Sequence, residues 1–332
     1  MAAGGADAGR ATVARTRVIP DVPLDFRWIE QVNGSLRYRV DRIVMREGVE
    51  SSADIDFSLR DGVLATRRLA WEGSLSTGSA EVRVEVLEKG GEVDVYVDSK
   101  RIPLIWLLAG EPDDQVDRTY RLRLRANGDS LRGLAGNLNG AFLYEGGGGR
   151  VSNRGLGLIF GDVVDEVVTR LNPFVESEPY TRVVCSAGAM RFVNGVIEVV
   201  PGLVVRTDKV DIASGGSIDL RDERLDLTFR TRSRKGVGIS AAKAIAPYVK
   251  IGGTLADPRL MLDSKGVAVS GGAAVATAGL SIIAEGLWDR WVATANNPCE
   301  RLFSRASAET TAKFRALLER PDFSAGADAV SP

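Results

Sequence analysis

The chain has 332 residues, long enough for one elongated domain or two compact ones with a sizeable core. Its 43 basic and 44 acidic residues balance, so no net field draws it to nucleic acid. It contains no histidine, which removes His triads, His general bases and nearly every His-containing metal site.

Residues Met1 to about Ala14 are small and polar, with no apolar segment of the kind a signal peptide or an anchor carries. From Thr12 apolar and polar residues alternate. Leu36, Tyr38 and Val40 oppose Arg37, Arg39 and Asp41. Ile55, Phe57 and Leu59 oppose Asp54, Asp56, Ser58 and Arg60, and Asp61-Gly62 turns the chain into Val63–Trp71. Val82, Val84 and Val86 alternate with Arg83 and Glu85; after Gly90-Gly91, Val93, Val95 and Val97 return against Asp94, Tyr96 and Asp98. Leu122 and Leu124 alternate with Arg121, Arg123 and Arg125. Period two marks strands with one apolar and one polar face. Consecutive hairpins of this kind form a meander, since a parallel doubly wound sheet needs a helix after most strands.

Glycine punctuates the pattern. Gly34-Ser-Leu36, Gly73-Ser-Leu75, Gly136-Asn-Leu138, Gly216-Ser-Ile218 and Gly253-Thr-Leu255 read as starts of strands at irregular spacing, one turn chemistry used repeatedly. Glu145 to Arg150 encloses a glycine run with no Gly-Lys-Ser/Thr behind it, so a flexible hairpin turn is preferred to a phosphate cradle. Gly155-Leu-Gly157 lacks the third glycine of a dinucleotide fingerprint. Asp113-Asp114 and Asp222-Glu223 read as solvated turn acids, because paired catalytic carboxylates face each other from separate elements.

Cys185 follows Val183 and Val184 and reads as a small core residue in a strand. A disulfide to Cys299 is the alternative; neither cysteine belongs to a C-x-x-C pair, so no zinc or redox motif is read.

Gly216 to Asp263 is the most organised stretch. Ile218–Leu220 and Leu225–Phe229 flank a polar Arg221–Arg224 turn, which predicts a hairpin. A crossing helix and a returning strand over Val249–Leu255 and Asp257–Asp263 follow, with Pro258 at a strand start or an edge. Arg230, Arg232, Arg234 and Lys235 cluster at a strand end. A solvated edge that blocks aggregation is the plainer reading, and contact with anionic lipid headgroups the sharper one.

Few helices are expected: Ile102–Gly110, Asp162–Leu171, Ile239–Ala246 and Thr310–Leu318. Gly266–Ala284 runs 19 residues without charge, but six are Ala and four Gly. It reads as a helix of small residues packed on a sheet, ahead of a membrane-surface segment with Trp288 and Trp291 at the interface, and of a true span.

The order of Gly216-Ser-Ile-Asp-Leu220, Leu225-Asp-Leu227 and Gly253-Thr-Leu-Ala-Asp-Pro258 with Leu260 and Leu262 resembles the C-terminal region of the AsmA family of bacterial envelope proteins. Gly128-Asp-Ser-Leu131 with Leu138-Asn-Gly140, the Gly147–Gly149 turn, and Cys185 ahead of Asn194-Gly195 are similar too, so the likeness spans roughly residues 30 to 300. Members of that family usually begin with a membrane-spanning helix; none is read in the first residues here, so the chain is expected to be a C-terminal piece or to carry its anchor elsewhere. The resemblance implies an extended, twisted antiparallel sheet curled into a taco-like groove, mainly β, with a few helices packed at one end. It also implies a periplasmic, inner-membrane-associated protein of a Gram-negative bacterium that guides phospholipid acyl chains through the envelope.

The expected map is a disordered tail over 1–14, an elongated β domain over 15–263, a helical segment over 264–320 and a disordered tail over 321–332. Candidate groove-lining residues are Ile55, Phe57, Leu59, Val82, Val84, Val86, Val93, Val95, Val97, Leu122, Leu124, Leu225, Leu227 and Phe229. Candidate headgroup contacts are Arg230, Arg232, Arg234 and Lys235. Some 12 to 14 strands at ~4.8 Å spacing give a sheet about 60–65 Å long, too short to bridge two membranes alone. A lipid-handling groove is the first function expected. A scaffold for other envelope proteins, bound through sheet edges, is the second. An enzyme ranks last, with no catalytic, metal or cofactor site expected. Membrane association is expected through the missing N-terminal anchor or the 266–291 segment.

Overall fold

The computed structural model describes residues 17–44, 50–73, 76–101, 118–152, 179–234, 248–262, 299 and 308–321. The alternating segments become strands: β1 (Gly34–Val44), β2 (Glu50–Arg60), β3 (Val63–Gly73), β4 (Thr77–Val86), β5 (Gly91–Lys100) and β6 (Arg118–Gly128). Then come β7 (Asn139–Gly146), β8 (Gly149–Ser152), β9 (Tyr180–Val193), β10 (Val196–Thr207), β11 (Val210–Asp219), β12 (Arg224–Ser233), β13 (Tyr248–Gly253) and β14 (Pro258–Leu262). All fourteen join one antiparallel sheet, in sequence order except that β8 pairs with β9 alone, and the sheet is not closed into a barrel. The fold is mainly β, as the alternation requires.

The turns follow their chemistry. Asp61 and Gly62, at φ 49° and 75°, give the left-handed pair that a tight hairpin needs. Bulges interrupt β1, β3 and β10; each adds unpaired residues on one side and bends the sheet.

Several expectations are corrected. The glycine run after Glu145 is no hairpin turn: β7 and β8 both pair antiparallel with β9, and Gly146↔Ser186 continues as Gly149↔Val183 without a register shift. They are one strand broken at residues 147–148, and β9, fourteen residues long, holds both pieces in line. Of the five glycine triplets, Gly34 starts a strand and Gly136-Asn-Leu138 leads directly into β7, whereas Gly73 and Gly253 end a strand and Gly216 lies inside β11. Gly216 is needed there for its backbone, since at φ 122° a Cβ would stand 2.1 Å from the Asp226 carbonyl oxygen. The returning segment is two strands, β13 and β14, and β14 begins with Pro258 on the open edge.

Residues 17–33 do not continue the alternation. They cross the hairpin-turn end of the sheet as a strap, with Leu24 donating to the Asp129 carbonyl and Leu131 to that of Val22. A short 3-10 helix (Arg27–Gln31) buries Ile29 against β2, β3 and β4. The strap is held at its start by Glu223, whose carboxylate accepts from the backbone of Val18 at 2.6 Å and Ile19 at 3.0 Å. Glu223 is 1% exposed, so the reading of Asp222-Glu223 as solvated turn acids fails for Glu223; the strap's amides supply the partners that water was expected to provide.

Among the described residues there are two α-helices, α1 (Leu131–Gly136), capped by the Ser130 hydroxyl, and α2 (Ala308–Leu317). α2 packs Phe314 and Leu318 on Ala141 and Ala189 of β7 and β9. Cys185 is disulfide-bonded to Cys299, with Cα atoms 6.2 Å apart, so the reading of Cys185 as a plain core residue gives way to its alternative. Helices expected at Ile102–Gly110, Asp162–Leu171, Ile239–Ala246 and Gly266–Ala284 lie outside the described residues, as do both tails up to residue 16 and beyond 321. No helix among the described residues is long and apolar enough to cross a membrane.

Candidate functional site: the apolar face and its polar end

Register turns the alternation into two faces that run unbroken across the sheet. Val82↔Val95↔Leu124↔Gly140↔Phe192↔Ile197↔Ile218↔Leu225 is one continuous apolar row from β4 to β12. Leu59↔Leu64↔Val84↔Val93 is another, and Leu122 lies between Val97 and Phe142. Leu227 and Phe229 face Ile251 and Val249 on the same side. All fourteen candidate lining residues therefore share one face, and each is half-buried. On the edge strand β1 the same face presents Leu36 and Tyr38 at 60% and 57% exposure.

That face is not uniform. Around β12 and β13, Val249 and Ile251 are buried in a cluster with Ile212, Leu225, Leu227, Phe229 and Leu260. Around β3 to β5, Trp71 lies over Gly78, where a Cβ would meet its ring at 2.5 Å, and donates its indole N–H to Ser76 at 2.7 Å.

The opposite face carries the charges, and it is drier than alternation predicts. Asp94 is 2% exposed beneath Arg123 and Arg125, at 3.3 and 3.0 Å. Asp211, 1% exposed, takes Arg206 at 2.7 Å and Arg232 at 3.0 Å. Asp54 pairs with Arg39 and Arg68, and the Arg39 hydrogen bond holds its carboxyl below the usual carboxylate range. Long arginine stems fold over short carboxylates on neighbouring strands and exclude water from them. α2 lies on this charged side too, since Ala141 pairs with Arg123 and the Arg123 guanidinium donates to the Glu319 carbonyl.

The basic cluster is also on the charged side, away from the lining candidates. Arg232 pairs with Asp211, Arg234 donates to the Thr207 carbonyl at 2.6 Å, and Arg230 sits across from Ala213 in β11. β13 pairs with β12 only over Leu227–Arg230, so Arg232 and Arg234 lie beyond that ladder. Lys235 lies outside the described residues.

At the sheet end opposite the strap, the apolar face becomes polar. Arg118, Tyr120, Leu122 and Leu124 alternate along β6, so Arg118 points to the apolar side although its neighbours Arg121, Arg123 and Arg125 point to the other. Arg118 is 7% exposed, and its Nε and Nη1 have no hydrogen-bond partner among the described residues. Beside it the Tyr120 hydroxyl is buried without a well-aligned partner among the described residues, and burial pushes its pKa up to about 12, with the charge of the adjoining Arg118 pulling the other way. The Tyr120 ring stacks on Tyr144 at 5.2 Å, and the Tyr144 hydroxyl is hydrogen-bonded to Ser186. Sequence reasoning passed over this group, although a signal was present: Arg118 is an arginine in the apolar phase of its strand.

Among the described residues no group of three or more acidic or cysteine side chains is placed to hold a metal ion. Comparison of the chain with family models, with curated proteins and with solved structures gives no match.

Proposed function

We propose that this is an AsmA-like envelope protein whose apolar sheet face takes up phospholipid acyl chains and assists their transport during outer-membrane biogenesis. The observation that carries the reading is that every lining candidate keeps part of its surface exposed on one continuous face, with no second sheet packed on it among the described residues. A single-layer sheet must cover such a face with something. Hydrocarbon suits it: each methylene that leaves water gains about 0.8 kcal/mol, and a surface of even greasiness lets a tail slide without a deep trap. The Cys185–Cys299 disulfide supports an oxidising compartment such as the periplasm. The reaction is a transfer between surfaces, without bond chemistry at the protein.

A second reading is a scaffold for outer-membrane protein assembly. It draws on the edges at β1 and β14, which among the described residues are unpaired on one side and offer backbone groups to an added strand. Mass spectrometry of organic extracts from the purified chain separates the two. Stoichiometric co-purified phospholipid is expected from the first. Its absence, together with failure to take up a fluorescent acyl chain from vesicles, overturns it.

A further inference from the structure

We infer that Arg118 and Tyr120 form an oxyanion-binding site at the polar end of the apolar face, which takes the phosphate or carboxylate headgroup of an amphiphile whose tail lies along β5 and β6. The inference rests on the trough reading above and deepens it by naming the chemistry of the headgroup.

A guanidinium at 7% exposure, without a partner on Nε or Nη1 among the described residues, is the anomaly that points to a ligand. Burying a cation without a counter-charge is costly, and folded chains remove that cost by pairing. By contrast the buried Arg206 shares Asp211 with Arg232, and the half-buried Arg123 pairs with Asp94, all on the charged face. Arg118 faces the other way, where register surrounds it with Gly146 and, one step along, Tyr120 and Tyr144. None of these is an acid.

The donors suit an oxyanion. Arginine Nε–H and Nη–H form a planar fork matched to carboxylate and phosphate, and a neutral phenol adds a third donor. Gly146, on the row of Arg118, is closely packed: a Cβ there would meet the Ser186 and Tyr144 oxygens at 2.7 and 2.8 Å, so two hydroxyls already stand beside that row. The placement also fits an amphiphile. From Arg118 to Ala126 the strand runs eight residues, about 26 Å at ~3.3 Å each, past Leu122 and Leu124, with Val97, Val95 and Val93 alongside. One leaflet of a ~30 Å hydrocarbon core holds tails of about 15 Å, so a headgroup on Arg118 leaves its tail wholly on apolar surface.

The test uses the full chain and two lipids with the same tails, phosphatidic acid and diacylglycerol, delivered from cyclodextrin, with inorganic phosphate as a third probe. The wild type is expected to prefer phosphatidic acid at least ~10-fold, and Arg118→Gln to bring that preference to about one while still taking up both. An unchanged preference in Arg118→Gln overturns the site. If neither lipid binds, the trough reading falls. In that case a phosphate-dependent rise in Tm that Arg118→Gln abolishes sustains an oxyanion site for a free anion, and no such rise overturns it as well. Arg118→Leu guards against a folding artefact. An arginine kept for a ligand leaves Tm unchanged or higher when replaced by an apolar residue, whereas a merely structural one lowers it, and that lowering counts against the proposal.

Discussion

The carboxylates on the charged face are the residues whose loss should be felt most. Asp211 answers two guanidiniums at once, one of them on the buried Arg206. Asp211→Ala removes that shared counter-charge, and a loss of about 3–5 kcal/mol is expected in chemical denaturation. Acid should act in the same direction. Arg221 hydrogen-bonds Asp219 and holds its carboxyl below the usual range, as Arg39 does for Asp54. The unfolded chain therefore takes up protons first, below about pH 4. The stability these groups contribute is complete above that value and is lost as pH falls through their lower folded values. Denaturation midpoints followed from pH 7 to pH 2.5 should fall on the acid side, and less steeply in Asp219→Asn. The sequence showed which residues were charged and which face they took. It did not show that arginines would lie over the acids, because that depends on cross-strand register, which alternation leaves open.

Among the elements, the hairpins were the most legible. Asp61-Gly62, Gly90-Gly91 and the Arg221–Arg224 turn each carry their own instruction in φ or polarity. The broken strand at residues 147–148 was not legible, since a glycine run serves a turn and an interruption equally; only the length of β9 decides. The strap was hidden too, because its anchor Glu223 lies some two hundred residues away in sequence. Glu223→Ala should cost about 1–3 kcal/mol and raise amide exchange at Val18 and Ile19 more than in the central strands, read by hydrogen-exchange mass spectrometry. The disulfide spans a separation of 114 residues. By chain entropy, Cys185→Ser should lower stability by up to roughly 4–5 kcal/mol, and calorimetry with and without reductant should give matching losses.

At the scale of the molecule, the question is whether the apolar face behaves as surface or as core. Val95 sits mid-sheet and half-buried, between Val82 and Leu124. In a sealed interior Val95→Lys would cost more than about 4 kcal/mol. On an accessible face it should cost about 1–2 kcal/mol, mostly strand propensity, while abolishing acyl-chain uptake in a vesicle assay. Full unfolding with no soluble protein would argue for a core. The overall β architecture could be read from alternation alone. The polar end of the face could not, because a lone arginine in the apolar phase looks like noise until register places it beside Tyr120 and Tyr144.

The strand order carries a consequence for how such a protein can change over time. Because neighbours along the chain are also neighbours in the sheet, nearly every ladder is closed locally, and no strand depends on a distant one for its place. Whole hairpins can be gained or shed near either free margin without rethreading the remainder, as in linear repeat arrays. The width of the sheet, and with it the number of guests it accommodates, is thus an adjustable length rather than a fixed property of the architecture.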